Sequence, residues 1–160
     1  MADGQSPRAD VLSRIAERDL VCAVVGLGYV GLPLAVVLAR AGYTVVGVDA
    51  QSSKADSVNA GRSYIPDVSS ELLLTLVRQG KLRASDAYEA LEACDFIAIC
   101  VPTPLDAHRN PDLSCIEEAA RGIGCHLKPG AMVVLESTTY PGTTQDILQP
   151  LLEQASGLQG

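Results

Sequence analysis

Three closely spaced glycines are the residues best suited to bind a phosphate. Gly26, Gly28 and Gly31 lie in the stretch "VVGLGYVGLPLA", between two apolar runs. In this G-x-G-x-x-G spacing, the first glycine permits a tight turn, the second lets the backbone approach a pyrophosphate, and the third lets a helix pack closely on a strand. The N–H groups at the start of that helix would favour a negative charge. The stretch therefore predicts a dinucleotide site, although the same glycines could simply shape turns.

A carboxylate further along the chain strengthens the prediction. Asp49 ends the next apolar run, where it would accept hydrogen bonds from the hydroxyls of an adenosine ribose. A carboxylate there would repel a 2′-phosphate and no arginine follows directly, so the pattern favours NAD over NADP. Lys54, one helical turn further on, qualifies this preference, and it could equally be a solvated surface charge. The alternative for Asp49 is an ordinary helix cap.

Hydroxyl-bearing residues form the third candidate group. They follow Glu136 in "VLESTTYPGTT", while an earlier loop, "VPTPLD", contains Thr103 between two prolines that hold the backbone extended. The carboxyl ends of parallel strands converge on one crevice, so both loops should lie near the dinucleotide and the hydroxyls should face its reacting end. Glu136 is more simply interpreted as a strand-end cap than as a chemical group.

The elements that would position these groups alternate along the chain. Short β-branched runs without polar alternation are typical of strands buried on both faces, and helical segments separate them. The sequence therefore predicts an α/β protein with a Rossmann-like, doubly wound parallel sheet and helices on both faces. Strands are predicted at 20–26, 44–49, 81–85 (the weakest), 95–101 and 131–137.

Helical patterns fill the intervals between the strands. We predict a polar lead-in of residues 1–19, with a helix over 3–18, followed by one domain over 20–160. Pro150 should end or kink the last helix. The predicted helices of the domain cover 29–42, 52–61, 67–80, 114–127 and 143–154.

Composition excludes several classes of protein. The chain has 160 residues, a formal net charge of −7 and no basic stretch, which argues against nucleic acid and anionic membranes as partners. No apolar run is long enough to cross a bilayer, and the first ten residues lack the apolar centre of a signal peptide, so a cytoplasmic location is expected. Five cysteines without C-x-x-C spacing suggest neither a disulfide framework nor a metal site. His108, beside Arg109, could reach a partner subunit or the substrate, but it is more simply interpreted as a solvated loop residue.

Four motifs together resemble a known family. "GLGYVGLPLA", "VDAQSSKADSVNAG", "VPTPLD" and "ESTTYPGTT", in this order, are similar to the NAD-binding domain of the UDP-glucose/GDP-mannose dehydrogenases, and most similar to that of the UDP-N-acetylhexosamine 6-dehydrogenases. The resemblance covers residues from about 20 to 158. It implies an enzyme of polysaccharide biosynthesis that oxidises the C6 alcohol of a nucleotide sugar to a carboxylate in two steps with two NAD⁺.

The resemblance also assigns roles to residues. It places Thr138 against the cofactor and a catalytic water, which is the one catalytic role expected in this chain. It implies a cofactor site formed by Gly26, Gly28, Tyr29, Val30, Gly31, Asp49, Lys54, Val101, Pro102, Thr103, Ser137 and Thr138. A nucleotide sugar would be the substrate, and the intact protein would be a homo-oligomer.

The chain departs from the family in one respect. The family's nucleophilic cysteine in a glycine-rich motif, with its lysine and asparagine partners, has no counterpart among these residues. We therefore expect an NAD-binding fragment that is inactive by itself. One alternative is a stand-alone dinucleotide-binding regulatory module, and another is a different two-domain dehydrogenase, which the last two motifs argue against.

Overall fold

The computed structural model describes residues 7–105 and 111–160. Five parallel strands form one sheet in the order β3-β2-β1-β4-β5. The strand order reverses beside β1, which is where a doubly wound sheet opens a crevice at the carboxyl ends of its strands. The predicted fold class is confirmed, including the weakest strand. The strands are β1 (Val21–Val25), β2 (Thr44–Val48), β3 (Leu82–Ser85), β4 (Phe96–Ile99) and β5 (Met132–Leu135).

Helices cover both faces of the sheet, and side chains that alternate along each strand fill two cores. In β1, Cys22 and Val24 belong to the core beneath α2 and α4, whereas Ala23 and Val25 belong to the core beneath α5 and α6. Because both faces of the central strands β1 and β4 are dry, these strands have apolar residues throughout, whereas the edge strand β3 includes the polar residues Arg83 and Ser85. The helices are α1 (Pro7–Glu17), α2 (Gly31–Arg40), α3 (Ser52–Asn59), α4 (Ser70–Arg78), α5 (Ser114–Cys125) and α6 (Gln149–Ser156), and a short 3₁₀ turn spans Tyr88–Leu91.

Two helices differ from their predicted bounds in ways that affect the site. The helix predicted from residue 29 begins at Gly31, which leaves Tyr29 and Val30 in the preceding loop with exposed side chains. The last predicted helix is divided, because one π-helical turn, Thr144–Leu148, precedes α6. Pro150 lies where the π-helical turn meets α6, so the N–H that proline lacks falls at the change between the two hydrogen-bonding patterns, and the helix continues past it.

Helix α1 is fastened to the end of the sheet that lies opposite the crevice. Arg14 donates two hydrogen bonds to Asp95, at 3.0 and 2.9 Å, and the same carboxylate accepts from Lys128 at 2.7 Å and from the backbone N–H of Val21 at 2.9 Å. Burial raises the pKa of Asp95, but the hydrogen bonds from Arg14 and Lys128 outweigh it and lower this pKa to about 2. The carboxylate therefore stays charged and joins α1 to the strands. Within the described residues, no helix is long and apolar enough to cross a membrane.

Candidate functional site

A crevice of about 520 Å³ lies at the carboxyl ends of four strands. Segments that follow β1, β2, β4 and β5 contribute to its walls, as the strand order requires. Eleven of the twelve predicted site residues line it: Gly26, Gly28, Tyr29, Val30, Asp49, Lys54, Val101, Pro102, Thr103, Ser137 and Thr138. The remaining one, Gly31, lies behind the loop, at the start of α2.

Each glycine of the turn has a different structural reason. Gly26 has a φ of +93°, and a side chain there would lie 2.6 Å from the carbonyl oxygen of Cys100. A side chain at Gly31 would overlap the carbonyl oxygen of Gly26, so this glycine permits α2 to pack against the turn. At Gly28 an added Cβ meets no protein atom within 4 Å. The fold therefore requires Gly26 and Gly31, whereas Gly28 keeps open the space in which a ligand would approach.

The glycine turn beside the crevice contains backbone donors that are not paired within the described residues. The backbone N–H groups of Gly28, Tyr29, Val30 and Gly31 donate to no acceptor in the described part of the chain. Val30, at the N-terminal end of α2, supplies no side-chain cap. Such donors, together with the positive end of the helix dipole, suit a phosphate group.

Asp49 is 8% exposed and already accepts three hydrogen bonds from the protein. The donors are the backbone N–H of Leu27 at 2.8 Å, the backbone N–H of Gln51 at 3.0 Å and the ammonium of Lys54 at 3.0 Å. Two carboxylate oxygens offer about four lone pairs, so capacity remains for a further donor such as a ribose hydroxyl. Lys54 is thus not a freely solvated charge, since it forms an ion pair with Asp49 at the edge of the crevice.

Hydroxyl groups join the loops that follow β4 and β5. Thr103 donates to the carbonyl of Thr138 at 2.8 Å, and in return Ser137 donates to the carbonyl of Val101 at 2.8 Å. Thr143 is buried, donates to the carbonyl of Tyr140 at 2.8 Å, and its hydroxyl also lies 3.0 Å from that of Thr139.

The hydroxyls of Thr103, Ser137 and Thr143 therefore hold the loops beside the crevice in place. The hydroxyl of Thr138 makes no hydrogen bond to the described residues, and this residue lines the crevice. Among the predicted residues of this loop, Thr138 is thus the one whose hydroxyl is available to a ligand or a water molecule.

Four further residues line the crevice but were not among the predicted cofactor contacts: Tyr64, Ile65, Cys100 and Glu136. Tyr64 and Ile65 lie in an irregular segment between α3 and α4, where no motif marks a site. Burial, and secondarily the charge of Glu136, raises the pKa of Cys100 to about 11, so its thiol stays protonated. His108 and Arg109 lie outside the described residues.

Comparison with known proteins assigns this architecture to a family. Residues 20–160 match the NAD binding domain of the UDP-glucose/GDP-mannose dehydrogenase family. The chain is 42% identical, over 86% of its length, to UDP-N-acetyl-D-mannosamine dehydrogenase of Pyrococcus horikoshii, and covers 32% of that protein. It is 39% identical, over 89% of its length, to UDP-N-acetyl-D-glucosamine 6-dehydrogenase of Pseudomonas aeruginosa, and covers 33% of it. The chain thus spans about a third of the length of these relatives.

Solved structures agree with the sequence comparison. A ternary complex of GDP-mannose dehydrogenase from Pseudomonas aeruginosa superposes with a TM-score of 0.81 at 35% identity, over 86% of this chain and 33% of the other. The UDP-D-ManNAc dehydrogenase structure from Pyrococcus horikoshii gives a TM-score of 0.82 at 40% identity, over 88% and 34% of the two chains. The sequence, the sheet and the crevice at the glycine turn all agree with this assignment. The chain belongs to the UDP-glucose/GDP-mannose dehydrogenase family and contains the NAD-binding domain of that family.

Proposed function

We propose that this chain binds NAD⁺ for a dehydrogenase that oxidises the C6 alcohol of a UDP-sugar to a carboxylate in two NAD-dependent steps. The names of the similar proteins support a UDP-N-acetylhexosamine as the sugar, because they act on N-acetylated mannosamine and glucosamine. All of these relatives extend well beyond the part that this chain matches, so the contacts to the sugar are assigned to the remaining part of such a protein.

One observation carries the cofactor assignment. Three consecutive residues whose N–H groups have no acceptor in the described part of the chain, Gly28, Tyr29 and Val30, line an opening in which Gly28 leaves room for a ligand. A pyrophosphate would satisfy these donors at the start of α2. Asp49 and Lys54 lie at the neighbouring strand end, where a ribose could donate to the carboxylate and accept from the ammonium.

The remaining predicted residues orient the other half of the cofactor. NAD⁺, when bound, supplies the hydride acceptor for both oxidations. The loops held together by Thr103 and Ser137 form the wall that would keep the nicotinamide in place. The free hydroxyl of Thr138 can both donate to and accept from a water molecule, which suits it to orienting the water that the second oxidation consumes.

A covalent step would require a nucleophile that this chain does not offer. Of the five cysteines, Cys100 is the one that lines the crevice, and its raised pKa keeps it as a thiol. Nucleophilic attack needs the thiolate. We therefore propose that this chain binds the cofactor but does not complete the oxidation alone.

Location and assembly follow as parts of the same proposal. All five cysteines are free, which is typical of a reducing compartment and supports a cytoplasmic location. For the intact protein we propose a homo-oligomer that acts in polysaccharide biosynthesis, as membership of the family implies. Because the similar proteins that are named for an activity are dehydrogenases, a stand-alone regulatory module is not favoured.

The test is a titration of the chain with NADH, followed by nicotinamide fluorescence and calorimetry. Wild-type protein should bind NADH more tightly than NADPH. Asp49→Ala should weaken binding by about tenfold or more, as expected when a charged hydrogen-bonding partner is lost. The matched control is Asp56→Ala, which removes an exposed carboxylate of α3 and should change the affinity by less than twofold. Failure of the wild-type protein to bind NADH would refute the proposal.

A further inference from the structure

The backbone of Leu27, at the centre of the glycine turn, forms hydrogen bonds with side chains from two other parts of the chain. Its N–H donates to the Asp49 carboxylate at 2.8 Å, and its carbonyl accepts from the hydroxyl of Tyr64 at 2.8 Å. The Leu27 side chain is fully buried, and a side chain at Gly47 would lie 2.8 Å from it. The turn is thus fixed at Leu27 by contacts of the side chain, the N–H and the carbonyl of that residue.

The carbonyl that accepts from Tyr64 lies four residues before Gly31, the first residue of α2. In an α-helix the N–H of Gly31 would donate to the carbonyl four residues earlier, which is that of Leu27. That carbonyl instead accepts from Tyr64, and the N–H of Gly31 donates to no acceptor among the described residues. The Tyr64 hydroxyl thus occupies one of the two lone pairs of the Leu27 carbonyl, and the Gly31 N–H has no acceptor among the described residues.

The segment that carries Tyr64 is itself firmly held. Its neighbour Ile65 and the nearby Val68 are 4% and 5% exposed in the core beneath α2 and α4. Ser63 adds a hydrogen bond from its hydroxyl to the carbonyl of Ile65, at 3.0 Å, and its backbone N–H donates to Ser70 at 3.0 Å. Burial and the nearby charge of Asp49 raise the pKa of Tyr64 to about 12, so its hydroxyl keeps its proton.

We propose that Tyr64 is a positioning residue for dinucleotide binding, which holds the Leu27 carbonyl and so keeps the N–H groups of the glycine turn directed at the pyrophosphate. This inference rests on the proposed function, because it concerns the same cofactor site. It assigns a role to a residue outside the glycine motif and outside the acid that follows β2.

The test uses Tyr64→Phe, which removes one oxygen atom, and Tyr43→Phe as its matched control. The Tyr43 hydroxyl also donates to a backbone carbonyl, that of Ile15 at 3.1 Å, but it precedes β2 at the opposite end of the sheet. Tyr64→Phe should weaken binding of NADH and of ADP-ribose by about three- to tenfold, the range that follows from the loss of one hydrogen bond. Tyr43→Phe should leave both affinities within twofold.

Two further readouts separate positioning from general damage to the site. Binding of adenosine, which has no phosphate, should change by less than twofold in Tyr64→Phe. In the ligand-free protein, the amide NMR signals of Gly28 and Gly31 should shift in Tyr64→Phe and not in Tyr43→Phe. If Tyr64→Phe does not fold, Tyr64→Met, which also lacks the hydroxyl, takes its place in the same measurements.

The outcomes of these measurements distinguish a failure of the positioning role from a failure of the proposed function. Unchanged NADH affinity in Tyr64→Phe, equal losses for adenosine and ADP-ribose, or unshifted amide signals would each overturn the positioning role while leaving the cofactor site standing. Absence of NADH binding by the wild-type protein would overturn the proposed function and this inference with it.

Discussion

Alanine substitution at Gly28 and at Gly31 separates the approach of a ligand from folding, because the surroundings of the two glycines differ. At Gly28 an added Cβ meets no protein atom within 4 Å, and this glycine is not among those with positive φ. At Gly31 the same atom would overlap the carbonyl oxygen of Gly26, which belongs to the backbone and has no alternative rotamer. Gly28→Ala should therefore weaken cofactor binding without destabilising the fold, whereas Gly31→Ala should destabilise the fold.

The space around each added methyl group determines the expected changes in the free energy of unfolding and in NADH affinity. Gly28→Ala should change the free energy of unfolding by no more than about 1 kcal/mol, and in the stabilising direction, because alanine restricts the unfolded chain. Its methyl group would occupy the space that a pyrophosphate needs. Overpacking of this kind costs about 1–3 kcal/mol, which corresponds to a loss of about 5- to 150-fold in NADH affinity. Gly31→Ala should lower the free energy of unfolding by about 1–3 kcal/mol or more, since backbone must move.

Urea unfolding followed by circular dichroism measures the first quantity, and NADH fluorescence titration measures the second. Gly130→Ala is the control, because an added Cβ there also meets no protein atom within 4 Å, while the φ of +81° makes the substitution strained. It should destabilise the protein without weakening NADH binding at temperatures where the protein is folded. The reasoning would be refuted if Gly28→Ala bound NADH as tightly as the wild-type protein, or if Gly31→Ala were as stable as the wild-type protein.

Three other predictions concern stability and reactivity. Asp95→Asn should lose about 2 kcal/mol of the free energy of unfolding at pH 7, because the folded pKa is about 2 against an ordinary 3.8. A lowered pKa stabilises the fold above pH 4, so the deficit relative to the wild-type protein should shrink as the pH falls from 4 towards 2 in urea titrations, and a deficit independent of pH would contradict this. Iodoacetamide at pH 8 should label the exposed Cys125 before the buried Cys22, whose pKa burial raises to about 11; mass spectrometry of tryptic peptides gives the order, and equal rates would contradict it. Ser137→Ala should cost about 1 kcal/mol in thermal or urea unfolding, because the carbonyl of Val101 loses its donor, and a variant of unchanged stability would show that water replaces the hydroxyl.

The sequence alone was sufficient to predict the sheet and the residues that line the crevice at its carboxyl end. Short apolar runs such as "VCAVV", rich in β-branched residues and followed by glycine, are typical of strands buried on both faces, and this signal is local in the sequence. The glycine turn and Asp49 are likewise separated by one strand–helix–strand unit, so their spacing along the chain determines their spacing in the fold. The carboxyl ends of parallel strands then bring the later loops, with Thr103 and Thr138, to the same crevice.

Tertiary structure alone decided which groups remain free to act. The sequence predicts a row of hydroxyls after β5, yet only contacts between separate loops show that Ser137 and Thr143 bond to the protein while Thr138 stays available. Tyr64 carries no local signal, because its partner, the Leu27 carbonyl, lies 37 residues away along the chain. Periodicity and motifs report interactions within a few residues, whereas the pairing of each donor with its acceptor depends on how whole elements pack. Here the sequence determines where the crevice forms, and packing determines which of its polar atoms are left for a ligand.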